Sequence, residues 1–404
     1  MTNNDMTNTT RSGRSHLRRR LPRRLPRRWA VGAGAVVAAG AVAAATVTLA
    51  TGHTPARHPG SAAAKLAASA CHGPAGAAYV ADAGWDGFSA IDTATCKVIQ
   101  TYNVGDPAVP NDPGDYDYDS TDEAVAIHGN LLYFANTGNS TVAVIDTSKL
   151  VASNYNPAET LINVGLNPQH LAVSPDGSQV WVAETGPQTS PSSPSAVSVI
   201  STATNKVTAR WSLPGGPSQI TFAPSGQRVY VATSAGVAVY STATQRQVAF
   251  IRGLGDPRGI AVSPDGKAVY VTGTNSDELY TISAATNRVT GTVKVGDLPW
   301  QVVAAPDGKT VYVANPDSNS VSVISAATGA VTSTVTVPGD PDTLALTPDG
   351  TQLWIGASTA AKVTVLNTAD NSTVGVINLG DEPNAADGYA PTGIALTATP
   401  TAGS

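Results

Sequence analysis

Charge is scarce in this chain, and so are aromatic rings, sulfur and histidine. Charged residues fill 13% of 404 positions and aromatics 5%, too few for the long solvated helices of a helical protein. There are two Met, two Cys and six His. No Cys-x-x-Cys-His run marks haem attachment, no cluster has zinc-ligand spacing, and no cofactor is implied. Gly and Pro, by contrast, number 38 and 28, which suits many short strands joined by tight turns. An apolar share of 42% supports a packed core and excludes a disordered body.

Basic residues are confined to one end. Residues 1–70 hold eleven Arg or Lys against Asp5 alone, leaving 13 basic and 28 acidic residues from Cys71 onward, a net of −15. A body this acidic repels phosphate backbones, so nucleic acid is excluded as a partner.

Residues 1–28 form a basic n-region that includes Arg18, Arg19, Arg20, Arg23, Arg24, Arg27 and Arg28. Residues 29–50 (WAVGAGAVVAAGAVAAATVTLA) are uncharged and fit either a cleaved signal peptide or a retained membrane anchor. The Arg cluster stays cytoplasmic, so everything beyond Ala50 is expected outside, secreted or held on the outer face of the membrane. Residues 51–77 read as a flexible linker, and 78–398 as the folded body.

That body repeats. An aromatic within a short apolar run recurs as AYVAD at Tyr79, LYFAN at Tyr133, VWVAE at Trp181 and VYVAT at Tyr230. It returns as VYVTG at Tyr270, VYVAN at Tyr312 and LWIGA at Trp354, with spacings of 54, 48, 49, 40, 42 and 42 residues. Seven units of this length mark a propeller or a solenoid. Each unit carries four runs of period two. Around Tyr312 they are VYVAN, VSVIS, VTSTVTV and TLALT, the last closing on a turn such as Pro348-Asp349-Gly350. Four strands per unit select the propeller blade. Pro sets φ at the first turn position, Asp caps it, and Gly takes a left-handed backbone.

The run VYVAN…VSVIS…GDPDTLALTPDG resembles the YVTN family of β-propeller repeats, found in surface-layer and secreted proteins. The resemblance implies an all-β, seven-bladed propeller of four-stranded antiparallel blades. It also implies that the strand ending in Pro-Asp-Gly is innermost. The body opens on the second strand type and ends on the innermost type, so Gly393–Thr397 should complete the N-terminal blade and close the ring.

Propeller ligands usually bind at the mouth of the central channel. One residue per unit lies just before the innermost strand: Glu123, Gln169, Ser218, Arg258, Trp300, Asp342 and Thr392. This chemically mixed ring, with His170 beside it, stands out against monotonous Val, Ile and Ala; unselected loop variation is the competing reading. The favoured function is an exported binding or scaffold module, a monomer whose partner is a protein or cell-envelope ligand. The alternative is a lactonase or lyase in which His170 acts as base beside Glu123 and Arg258 holds an anion. The insertion with Asp112, Asp115, Asp117, Asp119 and Asp122 fails the EF-hand template at Ser120 and Ala126. It leaves a loose calcium site at Asp115, Asp117 and Asp119, or a solvated acidic loop. Gly186–Ser195 is a Ser/Pro-rich loop. Cys71 and Cys96 predict one disulfide, worth about 3–4 kcal/mol for a loop of about 25 residues. Unrelated thiols or a lipidated Cys71 compete with it.

Overall fold

The computed structural model describes residues 76–82, 87–104, 124–150, 158, 160–186, 195–379 and 390–397. Two units are distinguished. Met1–Ala63 lies outside the described residues, and Ala64–Ser404 holds the repeats. The n-region, the 29–50 segment and the acidic insertion with Glu123 also lie outside. Among the described residues, no helix is long and apolar enough to cross a membrane.

The described residues form 28 strands in seven four-stranded antiparallel sheets, taken here as blades. Blade 1 contains β1 (Ala77–Asp82), β2 (Gly87–Asp92) and β3 (Lys97–Asn103). Blade 2 follows as β4 (Val125–His128), β5 (Leu131–Asn136), β6 (Thr141–Asp146) and β7 (Thr160–Asn163). Blade 3 is β8 (Pro168–Val173), β9 (Gln179–Glu184), β10 (Ala196–Ser201) and β11 (Lys206–Ser212). Blade 4 is β12 (Pro217–Phe222), β13 (Arg228–Thr233), β14 (Gly236–Ser241) and β15 (Arg246–Ile251). Blade 5 is β16 (Pro257–Val262), β17 (Ala268–Gly273), β18 (Glu278–Ser283) and β19 (Arg288–Lys294). Blade 6 is β20 (Val302–Ala304), β21 (Thr310–Asn315), β22 (Ser320–Ser325) and β23 (Val331–Thr336). Blade 7 is β24 (Pro341–Leu346), β25 (Gln352–Ala357), β26 (Lys362–Asn367) and β27 (Thr373–Asn378), and β28 (Pro391–Leu396) pairs β1 to complete blade 1.

This is the seven-bladed propeller the repeats predicted, closed by its last strand. The first strand starts at Ala77, one residue ahead of the expected boundary. Inner strands of successive blades touch around the whole ring, and β28 meets both β24 and β4. Closure hides the sheet edges that would otherwise face the channel seam. Beyond the strands, Ala77 N donates to Thr397 Oγ1 at 2.9 Å, and Thr397 N donates to Ala77 O at 3.0 Å.

The core lies between blades, which explains the repeated aromatic. Tyr79, Tyr133, Trp181, Tyr230, Tyr270, Tyr312 and Trp354 are all buried. Trp354 packs with Val363 and Val365 of its own blade against Ala78, Val80 and Ile91 of blade 1. A tryptophan is accepted where its N–H finds a partner: Trp181 Nε1 donates to Gln179 Oε1 at 2.9 Å, and Trp354 Nε1 to Gln352 Oε1 at 3.2 Å.

The Pro-Asp-Gly turns behave as their chemistry dictates. Asp265 Oδ1 accepts from Ser263 Oγ at 2.7 Å and Lys267 N at 3.0 Å. Asp176 accepts from Ser174 Oγ at 2.6 Å and Ser178 N at 3.0 Å. These donors hold both carboxyls down at about 2. At the third position Gly350 has φ +72° and abuts Pro306 of the preceding blade. One turn thus leans on the next along that end of the ring.

Candidate functional site

The opposite end, where the inner strands begin, is built differently. Five inner strands open on proline: Pro168, Pro217, Pro257, Pro341 and Pro391, all buried. Ahead of β20 buried Pro299 precedes Trp300, and the seventh inner strand, β4, opens on Val125 without a proline. Proline has no N–H to lose at the first residue of an edge strand.

A β-bulge follows the proline. Pairing skips from Pro168 to His170, Pro217 to Gln219, Pro257 to Ile260, Pro341 to Thr343, and Pro391 to Gly393. The residues passed over include Gln169, Ser218, Arg258, Asp342 and Thr392. Five sequence-predicted ring positions therefore lie inside the strands, at bulges, rather than just before them. Among the described ring residues only Trp300 precedes its strand. A bulge re-aims a side chain and ends regular pairing, and such features gather beside functional sites. The proline is the signal that sequence reasoning passed over.

These positions divide into two kinds. Ser218 is spent on structure: its Oγ donates to Arg258 O of the next blade at 2.9 Å. Thr272 Oγ1 likewise donates to Trp300 O at 2.7 Å, and Thr137 Oγ1 to Pro168 O at 2.8 Å. Hydroxyls thus tie one blade to the rim carbonyl of the next. Arg258 is the other kind. Its guanidinium carbon lies 4.1 Å from the centroid of the Trp300 ring, a stack worth about 1–2 kcal/mol when partly desolvated.

His170 stands one residue beyond the ring, at the register of Gln219 and Gln301. Both glutamines reach sideways, where Gln219 Oε1 accepts from Ile260 N at 2.6 Å and Gln301 Oε1 accepts from Leu344 N. His170 points from that bridging register, and its Nδ1 is buried without a hydrogen-bond partner. Burial pushes its pKa down to about 4, so it is neutral at pH 7. No hydrogen bond joins His170 to Arg258, which lies two blades on. Glu123, the third member of the expected catalytic trio, is outside the described residues, as are Asp115, Asp117 and Asp119. Among the described residues no group of His, Cys, Asp or Glu has the geometry to hold a metal.

A second, buried circle lies behind the rim, at the last residue of each second strand: Asp82, Asn136, Glu184, Thr233, Gly273, Asn315 and Ala357. This is the fifth letter of the repeat, and its variation was visible in the sequence. Glu184 is fully buried and closes a built pair: Oε2 accepts from Arg210 Nε at 2.8 Å, and Oε1 from Gly165 N at 2.7 Å. Asp82 is equally buried, yet only Oδ2 is engaged, accepting from Ser89 Oγ at 3.0 Å. Desolvation raises its pKa to about 7.

Among the described residues, orphaned polar atoms are more numerous at this end than at the other, where Asn287 Oδ1 and Asn371 Oδ1 are also unpartnered. Asp82 Oδ1, Thr141 Oγ1, His170 Nδ1, Asn315 Oδ1 and Thr392 Oγ1 are all buried without a hydrogen-bond partner. Folded proteins satisfy nearly all such groups, so a local concentration of exceptions marks a place where structure yields to another demand.

Comparison with known proteins follows the same division between fold and site. A family model described as choice-of-anchor I domain matches residues 69–300, and one described as YNCE-like beta-propeller matches residues 266–390. No curated protein matches the sequence. Among solved structures, hydrazine synthase of Kuenenia stuttgartiensis is similar at 21% identity and a TM-score of 0.57, covering 68% of this chain and 88% of that one. A functionally unknown protein from Desulfotomaculum acetoxidans DSM 771 is similar at 18% identity and a TM-score of 0.62, covering 80% and 99%. At these identities the likeness is one of fold.

Proposed function

We propose that this chain, which belongs to the choice-of-anchor I domain family, is an exported propeller of YVTN type that binds a ligand at the bulged rim of its channel. The carrying observation is the asymmetry between the two ends. At the Pro-Asp-Gly end, turn carboxylates are hydrogen-bonded and the turns lean on one another. At the rim, polar atoms go unpartnered and Arg258 is stacked rather than paired. The basic n-region followed by an uncharged 29–50 stretch supports export, and the family's name, with its reference to an anchor, accords with it.

Catalysis fits less well. A general base works best with a pKa near the operating pH, whereas His170 is held near 4 and projects from a register used to bridge blades. Cys96 supports the exported reading from another direction. It has φ +54° just before the outermost strand, a backbone that Asn205, Asn287 and Asn371 adopt at corresponding places. Asparagine tolerates that conformation and cysteine gains nothing local from it, which supports a Cys71–Cys96 bond. Cys71 itself lies outside the described residues.

The test is affinity capture from cell-envelope extract, comparing the wild-type chain with an Arg258→Ala/Thr392→Val double variant. Loss of a specifically captured species from the variant is expected. Identical capture by both would move the site away from the rim.

A further inference from the structure

We infer that Arg258, seated on Trp300, is a carboxylate-recognition group, so that the rim ligand is a monocarboxylate. This rests on the rim-binding reading above and narrows it. Among the described residues the Arg258 side chain makes no hydrogen bond and no ion pair, although the residue is partly buried. Only its backbone carbonyl is engaged, by Ser218. None of its guanidinium nitrogens is among the buried, unpartnered atoms, so the N–H fork stays open to solvent. The body surrounding it carries 28 acidic against 13 basic residues. Among the described residues Arg228, Arg246, Arg252 and Arg288 also lack a carboxylate partner, and Arg258 is set apart by its place on the channel ring over an indole. Arg210, for comparison, is clamped on Glu184.

The stack decides what the group can do. The guanidinium carbon sits over the indole at 4.1 Å, which restrains the group while its N–H donors stay unengaged. The edge of an arginine is the part whose parallel N–H pair matches the two oxygens of a planar oxyanion. The restraint precedes binding, which lowers the entropy lost when a ligand arrives. Among the described ring residues Arg258 is the only cation, and Asp342 stands two blades further on. A singly charged carboxylate satisfies one arginine here. A doubly charged phosphate would meet twice the repulsion from the acidic body for the same single cation.

Two sources could supply that chemistry, a sugar acid or the C-terminus of a peptide, and the titration separates them. The full chain is titrated calorimetrically with glucuronate and with N-acetylglycine, and with glucose and inorganic phosphate as controls. At least one carboxylate is expected to bind, with glucose and phosphate weaker by roughly tenfold or more. Arg258→Gln should lose that binding by a similar factor while its melting curve matches wild type. Arg258→Lys, which keeps the charge and loses the fork, should recover only part of it. Binding of glucuronate alone assigns a sugar acid, and of N-acetylglycine alone a chain terminus.

Three results would overturn the inference: neither carboxylate binds, phosphate binds as tightly, or Arg258→Gln binds like wild type. The envelope capture separates this failure from that of the wider reading. Rim-dependent capture that neither carboxylate competes away sinks the carboxylate and leaves rim binding standing. Capture indifferent to the rim variant sinks both.

Discussion

Asp82 shows most clearly how one register of a repeat can carry different chemistry. Its carboxyl is fully buried, half-satisfied by Ser89, and raised to about 7. An unfolded aspartate titrates near 3.9, so the folded state holds the proton more tightly. Stability is therefore full below about pH 4, falls as pH rises through about 7, and stays low above that. Asn136 and Asn315 fill the same register in blades 2 and 6, so an amide is compatible with the site. Asp82→Asn is expected to stabilise the chain by about 1–3 kcal/mol at pH 8 and to change little at pH 4. Thermal melts at the two pH values check this, and an equal effect at both would contradict it. The partners of Asp82 could not be read from the sequence, because Ser89 reaches it across a strand pair whose register only folding fixes.

At the scale of the element, the same turn recurs with the same dihedrals: Gly177, Gly266, Gly308 and Gly350 have φ of +70°, +71°, +70° and +72°. Sequence reasoning found these turns from Pro, Asp and Gly alone, since the preferences are local. It did not find that a Cβ on Gly350 would lie 3.0 Å from Pro306 of the preceding blade. Gly253 provides the control, with φ +79° and nothing within 4 Å of an added Cβ. Gly253→Ala should cost about 1 kcal/mol from backbone strain alone. Gly350→Ala should cost about 2 kcal/mol or more, the excess being the contact between blades. Urea unfolding of both variants measures the difference; equal losses would mean the turns do not support one another. The rim bulges have the same origin. Proline was present in the sequence, but the register shift after it is a property of the pair of strands.

At the scale of the molecule, the ring is closed by hydrogen bonds between β1 and β28, residues about 315 positions apart. A seam made from the two ends of the chain is where opening would begin. A Cys71–Cys96 bond would hold the leading segment to the blade that carries the seam. Reduction is expected to lower stability by about 3 kcal/mol and to speed hydrogen exchange at the amides of β1 and β28 more than at blades 4 and 5. Uniform acceleration, or none, would separate the bond from the seam. Cys96→Asn in the reduced chain should be neutral or mildly stabilising, because asparagine tolerates the left-handed turn.

The sequence by itself determined the number of blades, the four strands in each, the buried aromatic, the Pro-Asp-Gly turns and the closing strand. All of these rest on short-range pattern, and seven imperfect copies reinforce one another. It also located a ring of variable residues, because variation against a repeat is visible without coordinates. Only the tertiary structure decided what those residues do. Ser218 is consumed by the neighbouring blade, His170 stands in a bridging register, and Arg258 lies on Trp300 from the next blade, 42 positions along the chain. Such contacts join blades, and blade-to-blade geometry is set by the packing of whole sheets rather than by any local run of residues.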